Sequence, residues 1–134
     1  MLVSVIVPTY KDVKALELIL EALQLQTYKT FEVVVAEDDD SIEVKSFLND
    51  YVSNYDIKHI FHENIGNRKA IIMNKAILVA NGEYIIFIDG DTIPYSTFVD
   101  SHVKLSEKKV VLCGRRVNLG DKVSKELRDK KLKK

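Results

Sequence analysis

The pair of carboxylates in Asp89-Gly90-Asp91 has the residue types and the spacing of a divalent-cation site. The two acids directly follow a short apolar run, and the glycine between them lets the chain turn. Carboxylate oxygens are the ligands that Mg²⁺ and Mn²⁺ prefer, and two of them leave part of the coordination shell open for phosphate oxygens. The alternative is a plain Asp-Gly turn without a ligand, and the motif taken alone favours that turn.

A run of four acids, Glu37-Asp38-Asp39-Asp40, also follows an apolar run. Adjacent acids are usually a solvated loop, and the run by itself favours this interpretation. At the end of a strand, however, a carboxylate can accept hydrogen bonds from the N–H groups of a nucleobase or from sugar hydroxyls. Asp38 is the candidate for such a contact, and we expect the other three acids to be mostly solvated.

A glycine and two cations, Gly66, Arg68 and Lys69, precede a segment of helical periodicity. These three residues fit a plain loop. Basic residues in a first helical turn, however, interact unfavourably with the helix macrodipole, so their presence favours a role other than helix stability. Backbone N–H groups and two cations would suit a pyrophosphate. Neither the G-x-x-x-x-G-K-[ST] nor the G-x-G-x-x-G pattern occurs, so the sequence gives no support for the usual ATP and NAD loops.

The histidines and the cysteine indicate little chemistry. His59 and His62 lie at the third apolar run, and His102 follows Pro94 in a segment expected to be helical. Since no cluster has metal-ligand spacing, we expect packing or surface roles for all three. Cys113 is most simply a small core residue and has no other cysteine to pair with.

Short apolar runs alternate with segments of helical periodicity and would position these groups. Strands are predicted at 2–7, 31–36, 57–61, 84–88 and 110–117. Two helices are predicted at 13–26 and 44–52. A third helix has a face of Met73, Ala76, Ile77 and Ala80 and ends at an Asn81-Gly82 C-cap. A last helix has Pro94 in its first turn. The alternation predicts an α/β fold with a mainly parallel, Rossmann-like open sheet flanked by helices. Ligands bind such sheets outside the carboxyl ends of the strands, where the acids and cations lie.

Composition excludes several classes of protein. With 134 residues, 46% hydrophobic and 30% charged, the chain has the material for one core and is not disordered. No apolar stretch approaches the roughly 20 residues of a membrane span, and no basic region precedes the apolar start as in a signal peptide. We therefore expect a cytoplasmic protein.

Charge divides the chain into an α/β domain, 1–120, and a charged helical tail, 121–134. The tail has seven Lys/Arg and three Asp/Glu, a net +4, and the domain carries −4. An acidic domain is a poor match for nucleic acid, so no nucleic-acid partner is expected. The tail fits either a solvated helix end or a weak peripheral contact with the inner face of an anionic membrane.

An ordered set of motifs resembles the nucleotide-sugar-binding half of family 2 glycosyltransferases with the GT-A fold, over residues 2 to about 117. The motifs are residues 3–10 ending in Pro8-Thr9-Tyr10, residues 26–35, the acids at 37 and 38, Asn64-Ile65-Gly66, Asn74, and residues 82–91 ending in Asp89-Gly90-Asp91. The resemblance implies nucleotide-sugar-binding roles for Pro8, Thr9, Tyr10, Glu37, Asp38, Gly66, Arg68, Lys69 and Asp89. Within that set, Asp38 would contact the base and Glu37 would take the place of the family's first acid. Asp91 would be the direct metal ligand, with Asp89 facing the ribose and the metal shell.

The resemblance further implies transfer of a sugar from a nucleotide diphosphate donor, with a UDP-sugar favoured, to a carbohydrate or lipid-linked acceptor hydroxyl. Inversion at the anomeric carbon, Mn²⁺ or Mg²⁺, and polysaccharide biosynthesis are the family's usual features. We nominate no general base in this sequence, and we expect the chain to be the donor-binding part of a longer enzyme. The alternatives are a non-catalytic nucleotide or nucleotide-sugar binding module, and another α/β protein such as a phosphoacceptor domain or phosphatase. The last is disfavoured because the first strand ends in Pro-Thr-Tyr, where those proteins place an acid.

Overall fold

A computed structural model describes residues 1–63, 69–88 and 93–105 and contains alternating strands and helices. In chain order these are β1 (Val3–Thr9), α1 (Val13–Gln24), β2 (Phe31–Glu37), α2 (Ile42–Asp50), β3 (Asp56–Phe61), α3 (Lys69–Val79), β4 (Tyr84–Phe87) and α4 (Phe98–Leu105). The four strands form one sheet in the order β3-β2-β1-β4, and every pairing is parallel. The predicted open parallel sheet flanked by helices is confirmed.

The central strands β1 and β2 are buried along their whole length. Both are rich in valine, whose branched side chains suit a sheet covered on both faces. Their neighbouring helices begin at side-chain caps: Asp12 accepts a hydrogen bond from the Ala15 N–H at 3.1 Å, and Ser41 accepts one from the Val44 N–H at 3.2 Å. Local sequence therefore determines where both helices start.

Helices cover the sheet on both faces and create two apolar clusters. The larger cluster contains odd-numbered residues of β1 and β2 together with Leu16, Ile19, Leu20 and Leu23 of α1, Val44 of α2 and Val99 of α4. The smaller cluster contains Ile6, Val34 and Ala36 of the sheet with Ile72 and Ala76 of α3. Alternation along each strand thus separates the face that α1 packs against from the face that α3 packs against.

The predicted face of α3 is partly wrong. Ala76 is buried as expected and Met73 packs against the smaller cluster, but Ile77 is exposed and Ile72 is fully buried. The helix is apolar on nearly every side, so its periodicity could not identify the buried face. At the end of α2, Val52 lies beyond the helix and is exposed, which corrects the predicted extent to residue 52.

The Asn81-Gly82 segment is not the helix cap that the sequence predicts. Helix α3 ends at Val79, and Gly82 does not adopt a left-handed backbone conformation. A Cβ at Gly82 would lie 2.5 Å from the backbone nitrogen of Ser4, so glycine is required there because of a close approach to β1. Its N–H donates to the Ser4 hydroxyl at 2.8 Å.

Two further predictions concern the end of the chain. Pro94 is buried but precedes α4, which begins at Phe98, so its placement in a first helical turn is wrong. The predicted strand 110–117, with Cys113, and the tail 121–134 lie outside the described residues. Within the described ranges, no helix combines the length and hydropathy that a membrane crossing needs.

Candidate functional site

The strand order creates a topological switch point between β1 and β4. The chain proceeds outward from β1 to β2 and β3, and then returns to the other side of β1 with β4. Thr9 is level with Glu37, and Glu37 is level with Phe61, so three strands end in one row. The Ile88 N–H donates to the Ile6 carbonyl at 3.0 Å, so the chain after β4 stays beside β1 as far as Ile88. In open α/β sheets this edge is where ligands bind.

The end of β1 changes abruptly from buried to exposed. Pro8 and Thr9 are buried, whereas the Tyr10 side chain is 51% exposed. Lys11 has φ 50°, a left-handed conformation that non-glycine residues seldom adopt, and its Nζ lies 5.3 Å from the centre of the Tyr10 ring. The turn after β1 therefore presents an aromatic ring at the carboxyl edge of the sheet.

The predicted base-contacting acid, Asp38, lies next to this turn. Its backbone N–H donates to the Thr9 carbonyl at 3.0 Å, which ties the ends of β1 and β2 together. Its Oδ1 lies 2.5 Å from Nε2 of His62, and both residues are buried. Since a carboxylate only accepts, the histidine Nε2 carries the proton of this hydrogen bond.

The neighbouring acid, Glu37, has a different set of partners. Its Oε1 lies 2.9 Å from Nε2 of His59, and its Oε2 accepts a hydrogen bond from the Ser41 N–H at 3.2 Å. Glu37 is fully buried, so the expectation that it is solvated is wrong. Ser41 caps α2, and the contacts of Glu37 therefore connect β3 to the start of that helix.

Strand alternation places the two acids on opposite faces of the sheet. Glu37 continues the odd-numbered series of Val33 and Val35, which packs against α1, and Asp38 follows the even-numbered Val34 and Ala36, which pack against α3. Of the two other acids in the run, Asp39 is half-buried and Asp40 is exposed and paired with Lys45. Asp38 is thus the acid of the run that lies both next to β1 and on the α3 face.

The histidine partners of these acids were missed by sequence reasoning, which gave His59 and His62 packing or surface roles. A usable signal was present, because parallel strands bring their carboxyl ends to one edge. Residues just after the third strand must therefore lie near the acids just after the second. Searching for metal-ligand spacing alone could not find this arrangement. The third histidine, His102, lies in α4 as expected, and burial lowers its pKa.

The remaining predicted site residues fall mostly outside the described residues. These are Gly66, Arg68, Asp89 and Asp91; Lys69 is the first residue of α3, and only its backbone is described. Among the described residues there is no group of three histidine, cysteine or acidic side chains that could hold a metal ion. By the chemistry of its donors, the Asp89 and Asp91 pair fits a hard cation such as Mg²⁺ or Mn²⁺.

Comparisons with known proteins agree with the fold. The model of the family described as glycosyl transferase family 2 matches residues 4–133. The chain is 31% identical over 117 residues to validoxylamine A glucosyltransferase of Streptomyces hygroscopicus subsp. jinggangensis, covering 83% of this chain and 28% of that protein.

Two solved structures have a similar fold. A crystal structure of S. aureus TarS in complex with UDP-GlcNAc has a TM-score of 0.66 and 30% identity, covering 78% of this chain and 30% of that one. The mannosyltransferase PcManGT from Pyrobaculum calidifontis, in complex with GDP-Man and Mn²⁺, has a TM-score of 0.60 and 27% identity, covering 69% and 28%. The chain thus spans less than a third of the length of each of these proteins.

Proposed function

Because the chain belongs to glycosyl transferase family 2, we propose that it is the donor-binding part of an enzyme that transfers a sugar from a nucleotide diphosphate to an acceptor hydroxyl. The observation that carries the proposal is the group of Thr9, Asp38 and His62 at the carboxyl edge of the sheet. This edge adjoins the switch point between β1 and β4, where the fold accommodates ligands. The similar TarS structure contains UDP-GlcNAc, which supports a nucleotide-sugar donor and favours a UDP-sugar.

The nucleoside would occupy the end of β1. The exposed ring of Tyr10 offers a face on which a base can stack, and Pro8 and Thr9 supply the adjoining wall. The Asp38 carboxylate would accept a hydrogen bond from the base. The resemblance puts Glu37 in the place of the family's first acid. Glu37 would contribute indirectly, because it fixes the start of α2.

The diphosphate would be bound through a cation and basic groups. Asp91, with Asp89, would hold Mn²⁺ or Mg²⁺, and a neighbour in complex with GDP-Man and Mn²⁺ supports this assignment. A divalent cation supplies Lewis-acid stabilisation of the charge that grows on a departing nucleoside diphosphate. Gly66 would let the donor approach the backbone, and Arg68 and Lys69 would add positive charge near its phosphates.

Transfer also requires an acceptor and a general base, which we propose to be supplied by residues outside this sequence. An inverting reaction needs the base on the side of the sugar opposite the leaving group. The acceptor would be a carbohydrate or a lipid-linked carbohydrate, as in polysaccharide assembly. We also propose a cytoplasmic location, in which the basic tail 121–134 contacts the inner face of a membrane.

Calorimetry and thermal unfolding with nucleotides test the donor site. We expect one of UDP, GDP and dTDP, or its sugar, to stabilise the protein in the presence of Mn²⁺. A ligand at about 100 times its Kd should add about 2.7 kcal/mol to the free energy of unfolding. The Asp91→Ala variant should lose the metal-dependent part of this stabilisation. Asp56→Ala, which removes an exposed acid at the amino end of β3, should retain it. Absence of stabilisation by every nucleotide would overturn the proposed function.

A further inference from the structure

We propose that Asn81 is a site of spontaneous deamidation, and that Ser4 and Glu32 suppress the reaction by holding the backbone on both sides of the Asn81 Cα. The chain has seven asparagines, and Asn81 is the one that a glycine follows. A following glycine favours deamidation because it has no Cβ to hinder reaction at its backbone nitrogen. The proposal concerns how the fold keeps its covalent structure over time and does not depend on the proposed function.

The reaction needs only water and the groups of Asn81 and Gly82. The Gly82 nitrogen loses its proton and attacks Cγ of Asn81, so that a bond forms between these two atoms. The bond from Cγ to Nδ2 breaks, and Nδ2 leaves as ammonia after taking up a proton. Water then opens the five-membered succinimide at one of its two carbonyls. The product has an aspartate or an isoaspartate at position 81 and one more negative charge.

The two backbone N–H groups that flank the Asn81 Cα are held by one buried network. The Asn81 N–H donates to Oε2 of Glu32 at 2.7 Å, and the Gly82 N–H donates to the Ser4 hydroxyl at 2.8 Å. The Ser4 hydroxyl in turn donates to Oε2 of Glu32 at 2.6 Å, and both of these residues are buried. The bond to Ser4 opposes the reaction directly, because it engages the proton that the Gly82 nitrogen must lose.

Close packing against β1 restrains the same segment. A Cβ at Gly82 would lie 2.5 Å from the backbone nitrogen of Ser4, so the chain lies directly against the strand there. The Glu83 N–H donates to the Leu2 carbonyl at 2.9 Å and continues the attachment. The planar succinimide requires a change in the backbone between residues 81 and 82, and that change would break these contacts. Deamidation therefore requires residues 81–83 to open locally.

The product would weaken the amino edge of the sheet. Deamidation adds a carboxylate to a residue whose own N–H bonds the buried Glu32 carboxylate, and like charges this close repel each other. An isoaspartate also lengthens the main chain by a methylene group, which displaces Gly82 from the Ser4 hydroxyl. We therefore expect the modified protein to unfold at a lower temperature than the unmodified protein.

Mass spectrometry of proteolytic peptides measures the reaction at Asn81 after incubation near neutral pH. We expect folded wild type to deamidate at least about tenfold more slowly than the same chain unfolded in urea. Ser4→Ala should accelerate the reaction in the folded protein about three- to tenfold, which corresponds to the loss of one hydrogen bond. Asn54, which is followed by Tyr55, is an internal reference and should stay intact on this timescale.

Gln26→Leu is the control for a general loss of stability. Gln26 holds the start of α4 through the Tyr95 carbonyl and the Val99 N–H. Its replacement should destabilise the whole fold but leave deamidation near the wild-type rate, because local opening of residues 81–83 does not require global unfolding. Thermal unfolding shows whether each variant folds. If Ser4→Ala does not fold, hydrogen exchange of wild type replaces it, and the deamidation rate should rise together with exchange of the Gly82 amide as urea is added.

Four outcomes would overturn the proposal. Equal rates in folded and unfolded wild type would show that the fold does not protect Asn81. An unchanged rate in Ser4→Ala, or an equal acceleration in Gln26→Leu, would show that the Ser4 hydroxyl is not the group that restrains the reaction. Modification of Asn54 as fast as Asn81 would show that the following glycine has no influence.

Discussion

Glu32 of β2 is a buried carboxylate at the amino edge of the sheet, opposite the candidate site. Its Oε2 accepts hydrogen bonds from the Ser4 hydroxyl at 2.6 Å and from the Asn81 N–H at 2.7 Å, and its Oε1 lies 3.1 Å from Nζ of Lys58. Burial raises the pKa of Glu32, but these three partners together outweigh it and hold the pKa below its ordinary value of 4.5. One side chain therefore connects β1, β2, β3 and the segment that leads into β4.

We expect this lowered pKa to make stability depend on pH. A carboxyl group with a lower pKa in the folded state stabilises the protein above its unfolded pKa, and the contribution is lost as the pH falls through the folded pKa. Glu32→Gln should lower the free energy of unfolding at pH 7 by about 2 kcal/mol. Urea unfolding across pH 3 to 7 should show the difference from wild type shrinking below pH ~4.5. A difference that stays constant with pH would contradict this assignment.

Helices α1 and α4 are connected through one buried amide, Gln26, just beyond the end of α1. Its Nε2 donates to the carbonyls of Ala22 at 3.3 Å and Tyr95 at 2.8 Å, and its Oε1 accepts from the Val99 N–H at 3.0 Å. A backbone hydrogen bond from Thr27 to the Ser96 carbonyl at 2.9 Å runs beside it. These contacts hold the start of α4 against the end of α1.

Replacing this amide by an apolar side chain of similar size should separate the two elements. Gln26→Leu leaves the Val99 N–H and the Tyr95 carbonyl without their partner, and we expect it to lower the free energy of unfolding by roughly 3 kcal/mol. Chemical denaturation measures the loss. Asn49→Leu, a matched amide replacement at an exposed position of α2, should change stability by less than about 0.5 kcal/mol. Equal effects of the two variants would show that Gln26 does not connect the helices.

At the scale of the described molecule, the two edges of the parallel sheet differ in the groups that they carry. At the carboxyl edge, Asp38 and Tyr10 lie near the switch point. At the amino edge, Ser4, Glu32 and Gly82 hold the strands in register. The amino edge contributes to stability, and the carboxyl edge is where we propose that the donor binds.

At this scale we expect the 134-residue chain to bind a donor without completing the transfer. The chain covers only 28% of validoxylamine A glucosyltransferase and 30% of the TarS chain, and the sequence supplies no candidate base. Incubation with UDP-GlcNAc and Mn²⁺ should release UDP slowly by hydrolysis, and mono- and oligosaccharide acceptors should not accelerate it. Product formation on an acceptor at a rate above hydrolysis would show that the chain contains its own base.

Local features of the sequence determined the strands, the helices and the positions of the acids. The valine-rich runs of β1 and β2 are local features, so composition and spacing were sufficient to predict both strands. The caps Asp12 and Ser41 also act within a few residues of the helices that they begin. The acids at 37 and 38 were located for the same reason, since a residue that follows a strand must lie at its carboxyl end. The buried face of α3 was predicted less well because apolar residues lie on nearly every side of this helix. Packing against the sheet therefore decides which of them are buried.

Tertiary structure alone decided which groups meet. Asp38 and His62 are 24 residues apart, Gln26 and Val99 are 73 apart, and Ser4 and Gly82 are 78 apart. Each contact depends on strand order and register, which depend on all the elements packing together and not on any short segment. Periodicity and motifs in the sequence were enough to predict a parallel α/β fold with acids at its carboxyl edge. Only the folded sheet brought a histidine to Asp38 and glycine to Ser4, because parallel strands align residues that are distant along the chain.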